Sequence, residues 1–397
     1  MDKKNKNPNV PNLRFSYKGD WSKRKLNEIC QFFKGNGLSK SDLSNEGFPC
    51  ILYGELYTTY KNEVISDIIS KTNTTLANPF LSRNNDLIIP GSGEDPIDIA
   101  VARAIYQNDI ILGGDLNILR PKSNVSAAFL SYQLNGVRRY DIAKKAQGKS
   151  IVHLHNSDLK EVLVSIPTYD EQLHIVELLT KIDEMIDAQI KIIGDYNSLK
   201  KGIIQHIFNV NYEFPNVHLK AVLKEISQKN KNRDNIDVLS VSNSLGFIKQ
   251  SEQFEDREIA SADTSNYKIV NKNEYAYNPA RINVGSIARL QSCDCGIVSP
   301  MYTVFKTDIS KISYEYFDLF LQSSTFQKQL NQKLEGSVRQ CLTFASMQNI
   351  LIELPPLEMQ IEISEKMKFI DSKIKIESDY LNLLKTEKEY LLKNMFV

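Results

Sequence analysis

The sequence predicts an α+β protein in which two similar globular domains are separated by two long helices that pair as an antiparallel coiled coil. Three observations support this fold class. Residues 129–208 align without a gap on residues 317–396 at a constant offset of 188, residues 21–29 align on 218–226 at an offset of 197, and each copy contains a long heptad pattern. A repeat whose period is nearly half the chain gives two domains related by pseudo-symmetry rather than a solenoid.

Because the two offsets differ, insertions and deletions must lie between the aligned blocks, in residues 30–128 and 227–316. We therefore predict globular domains at 1–165 and 210–353, followed by helices at 166–209 and 354–397, with a shared frame and two variable inserts. The matched positions of that frame are Gly148/Gly336, Pro167/Pro355, Gln172/Gln360, Glu177/Glu365, Ile182-Asp183/Ile370-Asp371, Ile186/Ile374, Lys200/Lys388 and Phe208/Phe396.

The composition is that of an ordinary globular protein: 397 residues, 42% hydrophobic, 24% charged, with a net charge of +1. No segment approaches the ~18 consecutive apolar residues of a membrane span, so we expect a cytoplasmic protein that does not contact a membrane. Five scattered cysteines indicate reduced thiols rather than disulfides. Cys293-Asp-Cys295 and His153-Leu-His155 lack further ligands at zinc-site spacing, so no metal site is predicted.

Two short β-branched runs, each ended by a proline at Pro167 or Pro355, predict the strands that precede the long helices. Thr168 with Glu171 is a candidate capping box for the first helix, and Pro356 suits the opening turn of the second. Each helix then carries a heptad seam. The seam positions are Ile175, Leu179, Ile182, Ile186, Gln189, Ile193, Tyr196, Lys200, Ile203 and Ile207, and Ile363, Met367, Ile370, Ile374, Glu377, Leu381, Leu384, Lys388, Leu391 and Met395.

Polar residues interrupt both seams at equivalent positions, which favours mutual pairing of the helices. The predicted register sets Lys200 opposite Glu377 and Gln189 opposite Lys388, because polar seam residues specify alignment at some cost in stability. The alternative is that each helix lies on its own domain, but about 39 residues at ~1.5 Å each form a rod longer than a small domain needs. The residues predicted to pair the helices are Ile182, Ile186, Ile193, Lys200, Ile370, Ile374, Glu377 and Leu381.

A basic cluster precedes the first repeated glycine. Arg138, Arg139, Lys144, Lys145 and Lys149 surround a single acidic residue, and the second copy carries Lys328, Lys333 and Arg339 around Gly336. A charge run is usually a solvated helix face. Its recurrence at the same place in both halves favours contact with phosphate groups.

Motifs of catalysis are missing from the sequence. There is no G-x-x-x-x-G-K-[ST], and Gly35-Asn-Gly37 lacks the third glycine of a dinucleotide or S-adenosylmethionine turn. Asn78-Pro79-Phe80 and Asn278-Pro279-Ala280 lack the second proline of the Asn-Pro-Pro-Tyr strip of amino-group DNA methyltransferases. We therefore predict no catalytic residues, and binding or scaffolding becomes the leading class of function.

An ordered set of motifs runs through nearly the whole chain: Val10–Phe15, Trp21, Lys25–Ile29, Ile51–Tyr57, Tyr277-Asn278-Pro279, Gly285-Ser-Ile, the Gly148 and Gly336 loops, and the repeated strand-Pro-x(4)-Gln-helix. Taken together, these motifs resemble the DNA-specificity (S) subunit of type I restriction–modification enzymes. One departure is His218, which stands where the first half has Trp21 and indicates different packing at the entry to the second domain.

The resemblance implies a protein without a catalytic centre or cofactor of its own. Its two target recognition domains, 1–165 and 210–353, each read one half of a split, asymmetric double-stranded DNA site, and the helices act as a ruler and a docking site. Two modification subunits supply S-adenosylmethionine-dependent methylation of adenine. Restriction subunits, which use ATP and Mg, supply translocation and cleavage.

Base readout favours Arg on guanine, Asn or Gln on adenine and acidic groups on cytosine, presented on loops of the variable inserts. Arg281 is the strongest candidate, because Asn278-Pro279-Ala280 before it and Gly285 after it predict a projecting turn. Lys149 and Arg339 are predicted to contact the DNA backbone from matching loops. The predicted base-reading residues are Tyr53, Glu55, Tyr57, Thr58 and Arg83 in the first domain and Arg281, Asn283 and Arg289 in the second.

Two alternatives come from other classes of protein. A single-chain DNA methyltransferase with degenerate motifs would bind S-adenosylmethionine by itself, which the missing glycine turn disfavours. A coiled-coil adaptor that never touches DNA has no evident reason to carry two different inserts in one symmetric frame.

Overall fold

The computed structural model describes residues 9–209, 214–231, 236–243, 245–250, 263–335 and 340–397. The chain divides into two compact units. Unit 1 comprises residues 1–191 and 378–397, and unit 2 comprises residues 192–377. Each unit therefore contains one globular domain and a part of both long helices, whereas the predicted boundaries kept each helix whole.

Unit 1 is built on a five-stranded sheet and a smaller four-stranded sheet. In sheet order the first contains Cys30–Lys34, Leu116–Pro121, Asp86–Pro90, Arg103–Ile105 and Val64–Ile65, and the second Ile111–Leu112, Phe48–Ile51, Lys71–Thr72 and Leu43–Ser44. Two further antiparallel pairs join Ser22–Lys25 to Leu163–Ile166 and Ser92–Gly93 to Val152–His153.

Short helices connect these strands, and apolar side chains from both sheets and helices form the core. The strand Asp86–Pro90 is buried along its whole length, as is most of the helix Ala127–Asn135. The helices of unit 1 before the long helix are Leu26–Ile29, Glu55–Thr58, Pro96–Ile99, Ala127–Asn135, Arg139–Ala143 and Asn156–Lys160, with a 3₁₀ turn at Lys40–Asp42.

Unit 2 repeats this plan with two four-stranded sheets. In sheet order they contain Leu223–Ile226, Thr303–Thr307, Tyr275–Tyr277 and Ile287–Arg289, and Gly246–Lys249, Val238–Ser242, Cys295–Val298 and Lys268–Asn271. Asn216–His218 pairs with Leu351–Glu353, as the first strand of unit 1 pairs with Leu163–Ile166. The shorter helices are Tyr314–Leu321, Ser324–Lys333 and Phe344–Gln348, with 3₁₀ turns at Leu219–Ala221 and Ile282–Val284.

The two long helices run Tyr169–Asn209 (the central helix) and Leu357–Asn394 (the C-terminal helix). Every predicted seam position is buried or half-buried. In unit 1, Ile175 to Ile186 share an apolar cluster with Leu384, Leu391 and Met395. In unit 2, Ile203 to Phe208 share one with Ile363 to Ile370. The helices therefore pack against each other within each unit, in opposite directions.

The predicted register of this pairing is wrong by six residues. Lys200 lies 2.5 Å from the carboxylate of Asp371 rather than opposite Glu377, and Lys388 lies 2.6 Å from that of Asp183 rather than opposite Gln189. The two lysines therefore form ion pairs with Asp371 and Asp183, which lie outside the seam. The repeated Ile-Asp pair in both helices was the sequence signal for this arrangement.

The repeated Pro-x(4)-Gln motif fastens each long helix to its own domain. Gln172 is fully buried, accepts the backbone N–H of Ser126 at 2.9 Å, and donates to the carbonyls of Asn124 and Pro167 at 3.3 and 3.2 Å. Gln360 repeats the bonds with Ser313 (2.9 Å), Lys311 (2.9 Å) and Pro355 (2.8 Å). Both glutamines thereby satisfy backbone hydrogen-bonding groups at the start of a shorter helix and just after the end of a strand.

The N-terminal motif docks on the start of the central helix instead of leaving Glu171 to form a capping box. Arg14 binds both oxygens of the fully buried Glu171 carboxylate, at 2.6 and 2.7 Å, and Trp21 donates its indole N–H to it at 3.3 Å. Trp21 is buried against Phe129 and Phe396. His218 is exposed, so the entry to the second domain does pack differently, as predicted.

Candidate nucleic-acid interface

In unit 1, the repeated glycine loop lies at one end of the central sheet. An antiparallel bridge between Gln147 and His153 closes this loop, in which Gly148 adopts a φ of 138° and Lys149 is exposed. Such a φ strongly favours glycine. Val152 then pairs with Gly93, just beyond the strand Asp86–Pro90.

The short helix Glu55–Thr58 reaches the same end of the sheet. The hydroxyl of Tyr57 packs close to Gly93, and a side chain at Gly93 would also collide with Ile99. Tyr57 is half-buried and Thr58 is exposed. In unit 1, the segment of Tyr57 and Thr58 and the loop of Lys149 therefore both adjoin the strand pair of Ser92–Gly93 and Val152–His153.

Two other predicted residues of this segment face inward. The carboxylate of Glu55 accepts the backbone N–H of Leu52 at 2.7 Å and the hydroxyl of Ser70, so both of its oxygens are used in holding its own turn. Tyr53 is half-buried against the apolar cluster of the central sheet. Glu55 stabilises the segment rather than presenting an acceptor to solvent.

Arg83 lies at the opposite end of the strand Asp86–Pro90 from Gly93. Its side chain is exposed, and its backbone N–H donates to Asp86 at 2.8 Å. The Asp86 carboxylate is also held by Arg120 through two bonds of 2.8 Å. A strand of five residues is about 17 Å long, so Arg83 does not share a surface with Lys149.

In unit 2, the predicted projecting turn is present. The side chain of Asn278 accepts the N–H of Ala280 at 3.1 Å, and the carbonyl of Arg281 accepts from Val284 and Ser286, both at 3.2 Å. Gly285, with a φ of 93°, ends the turn. The side chains of Arg281 and Asn283 are both exposed.

The second copy of the glycine loop begins beside this turn. A bridge between Glu335 and Cys341 repeats that between Gln147 and His153 at the offset of 188, and the N–H of Leu342 donates to the carbonyl of Pro279 at 3.1 Å. Gly336 and Arg339 lie outside the described residues. Each unit therefore places the base of a repeated loop next to a segment from its variable insert.

The prediction that Arg289 reads bases is not supported by its position. Arg289 pairs with Tyr275, at the end of the sheet opposite the Arg281 turn, and its side chain is only 9% exposed. It binds Asp318 at 2.7 and 3.0 Å and lies over the ring of Tyr314. Burial raises the pKa of Asp318, and Arg289 opposes that rise. Arg289 neutralises a half-buried carboxylate, and little of its own side chain is exposed.

The basic cluster of unit 1 is partly committed to internal contacts. Arg138 pairs with Asp141 at 3.3 Å and donates to the carbonyl of Val397 at 2.9 Å, and Arg139 donates to the carbonyl of Ile97 at 3.1 Å. Lys144 and Lys149 are exposed. Tyr140, which the sequence analysis missed, is 70% exposed in the same basic segment.

Within the described ranges, no group of three or more His, Cys, Asp or Glu residues is arranged to hold a metal ion, and no helix is long and apolar enough to cross a membrane. The rings of His153 and His155 lie parallel, 6.1 Å apart. All five cysteines are free thiols. Burial raises the pKa of Cys30 to about 12, so this thiol is unreactive at neutral pH.

A repeated frame, two different strand-end surfaces and a pair of long helices define a class of proteins with two recognition domains. The family model described as "Type I restriction modification DNA specificity domain" matches residues 18–193 and 224–386. The chain therefore belongs to this family, as the motifs predicted. The comparisons support neither the methyltransferase nor the adaptor alternative.

Relatives agree over nearly full length. The putative type I restriction enzyme MjaX specificity subunit of Methanocaldococcus jannaschii is 22% identical over 90% of this chain and 88% of its own. The type I restriction enzyme MjaVIII specificity subunit of the same organism is 21% identical over the same shares.

Solved structures share the fold. The S subunit of a type I restriction–modification system from M. genitalium superposes with a TM-score of 0.59 at 16% identity, over 98% of this chain and 99% of that one. A chain solved in work on complex assembly and conformational transition of the type I R-M system gives 0.58 at 13% identity, over 94% and 97%. The predicted fold class is thereby confirmed.

Proposed function

We propose that this chain is the non-catalytic DNA-specificity subunit of a type I restriction–modification complex, and that each globular domain reads one half of a bipartite, asymmetric site in double-stranded DNA. One observation carries the proposal. In each unit, a variable insert and a repeated loop lie side by side, with exposed residues that suit DNA. A repeated frame of this kind holds two different DNA-recognition surfaces at equivalent positions of the two domains.

In the first domain, we assign base readout to the segment of Tyr57 and Thr58, and phosphate contact to Lys149 with Lys144. Tyr57 is half-buried and carries both an aromatic ring and a hydroxyl group, and the two lysines are exposed. Phosphate contacts set the position of a domain on the duplex, whereas contacts to base edges carry the sequence information.

In the second domain, we assign base readout to Arg281 and Asn283. Both project from a turn whose backbone is held by Asn278 and Gly285. Arginine forms two hydrogen bonds with guanine in the major groove and asparagine does so with adenine. A rigid turn keeps such side chains in place at a low cost in entropy.

We propose that two modification subunits dock on the long helices and bring S-adenosylmethionine to adenine, and that restriction subunits bring ATP and Mg to a cytoplasmic complex. Exposed apolar residues of the helices outside the seam support docking, because removing apolar surface from water against a partner is favourable. These residues are Leu173, Met185, Ile190, Leu383 and Tyr390 in unit 1, and Leu199, Ile361, Phe369 and Ile376 in unit 2.

The decisive experiment is genome-wide mapping of adenine methylation in cells that express this chain with its modification subunit, against cells that lack only this chain. We expect a new bipartite motif. Exchange of residues 30–128 for those of a relative should change one half of that motif, and exchange of residues 227–316 should change the other. Unchanged methylation in an assembled complex would contradict the proposal.

A further inference from the structure

The C-terminal helix contributes a lysine to a buried network beneath the first recognition domain. Lys388 binds the carboxylate of Asp183 at 2.6 Å and that of Glu63 at 2.7 Å, and the side chains of these acids are only 5% and 7% exposed. Tyr132 donates to the second oxygen of Asp183 at 2.7 Å, and Asn135 donates to Glu63 at 3.3 Å. All of these groups belong to unit 1.

A second buried cation extends this network to the segment that contains Tyr57. Arg103 donates its Nε–H to the carbonyl of Leu56, in the middle of the helix Glu55–Thr58, at 3.1 Å. Its charge is attracted to Glu63 and Asp183, although burial lowers its pKa. The backbone carbonyl of Glu63 accepts from Ala104 at 2.8 Å, so the two segments are also joined through their backbones.

Four charged groups lie together here, the cations Arg103 and Lys388 and the carboxylates of Glu63 and Asp183, and Arg139 is a further cation near Arg103. Burial lowers the pKa of Lys388, but attraction to Glu63 and Asp183 outweighs burial and the net change is upward, so the amine stays charged. Burial raises the pKa of Asp183, and Lys388 opposes this rise. Removal of one member leaves a buried charge without its partner, which is far more disruptive than loss of a surface ion pair.

Among the described residues of unit 2, no equivalent hydrogen bond or ion pair joins Lys200 to a segment of the variable insert. The repeat equivalents of Lys388, Asp183 and Tyr132 are Lys200, Asp371 and Phe320. Lys200 and Asp371 form the same ion pair, but the Asp371 side chain is 51% exposed and Phe320 has no hydroxyl. The second carboxylate that binds Lys388, that of Glu63, comes from the variable insert 30–128. The frame therefore provides the lysine–aspartate ion pair in both units. In unit 1, Glu63 of the variable insert also binds the lysine of this pair.

We propose that Lys388 is a positioning residue for recognition of the first half-site: through Glu63 and Arg103 it holds the helix Glu55–Thr58 at the depth and angle from which Tyr57 and Thr58 meet the DNA. This inference rests on the proposed function and adds to it. The specificity of the first domain then depends on a residue of the last helix, more than 300 positions away in the sequence.

The test compares K388M, K388R and K200M in the assembled modification complex. For each variant, kcat/KM is measured on the cognate duplex and on duplexes with single substitutions in either half-site. A mismatch typically costs about 10-fold to 100-fold. We expect K388M to reduce discrimination in the first half-site about fivefold or more and to leave the second within about twofold, and K388R to restore it in part. K200M should leave first-half discrimination unchanged.

Lost stability alone would lower activity on all duplexes without changing the ratio between cognate and substituted ones. If K388M does not assemble, the double variant D183N/K388M replaces it, because it removes one charge of each sign and leaves Arg103 with Glu63, and the same selective loss is expected. Wild-type discrimination in either variant overturns the positioning role while the proposed function stands. If wild type itself shows no sequence preference in either half-site, both proposals fail.

Discussion

Substitution of Gln360 by leucine should open the junction between the C-terminal helix and the second domain. The fully buried amide makes three hydrogen bonds, to Ser313, Lys311 and Pro355. Leucine has a similar size but leaves one backbone N–H and two carbonyls without this partner. At about 1–2 kcal/mol for each such group, the local cost is about 3–6 kcal/mol.

Hydrogen exchange followed by mass spectrometry measures this cost locally. Because 1.4 kcal/mol corresponds to a factor of ten, exchange in the peptide that covers residues 311–321 should accelerate at least about 100-fold. Q172L should produce the same acceleration in residues 124–134 of unit 1, since its three bonds are equivalent. The control is Q327L, in which a glutamine bonded only to Asn331 is replaced. Wild-type exchange in Q360L would refute the role given to this amide.

Four further predictions concern single side chains. R289A should destabilise the second domain by about 2 kcal/mol in chemical denaturation, because Asp318 loses a charged partner, while methylation mapping retains the wild-type motif. K149A should weaken binding to all duplexes alike and lower the salt dependence by about one ion, whereas R281A should relax specificity at one position of the second half-site, both by fluorescence anisotropy. Relative to the wild type, K388M should be destabilised more at pH 8 than at pH 5. Without the lysine, the already raised pKa of Asp183 rises further. A carboxyl group whose pKa is higher in the folded than in the unfolded protein destabilises the fold while it is ionised, and that loss is recovered as the pH falls through the folded pKa.

The fold could be predicted from the sequence because the alignment of the two halves shows which segments share a structure. The aligned block located both strand-proline-helix junctions, and the heptads located the seam. The register of the helix pair could not be obtained in this way. A heptad pattern identifies the apolar positions that face the partner helix, but it does not indicate which of the charged residues beside them form ion pairs. Asp183 and Asp371 were visible as repeat matches, but their partners Lys388 and Lys200 are selected only when the helices are packed together.

The candidate site was harder to predict than the fold, because local sequence does not tell which way a polar side chain faces. The turn of Arg281 was predictable, since its geometry depends on neighbouring Asn and Gly residues. Arg289 ends a strand instead, and its partner Asp318 lies 29 residues further on, in the helix Tyr314–Leu321. The bond of Glu55 within its own turn is a local effect, because an acid at the start of a short helix accepts a nearby backbone N–H.

The buried network also bears on how recognition domains can be exchanged. Glu63 and Arg103 both lie in the insert 30–128, and Asp183 and Lys388 both lie in the frame, so each part contributes one positive and one negative charge to the interior. Replacement of the whole insert therefore removes no net charge from the network, and the frame keeps an ion pair like the one that unit 2 tolerates between Lys200 and Asp371. A partial change such as E63Q leaves Arg103 and Lys388 with a single carboxylate. We expect E63Q to reduce the yield of soluble complex more than exchange of the entire insert does, and equal yields would show that charge balance does not limit exchange.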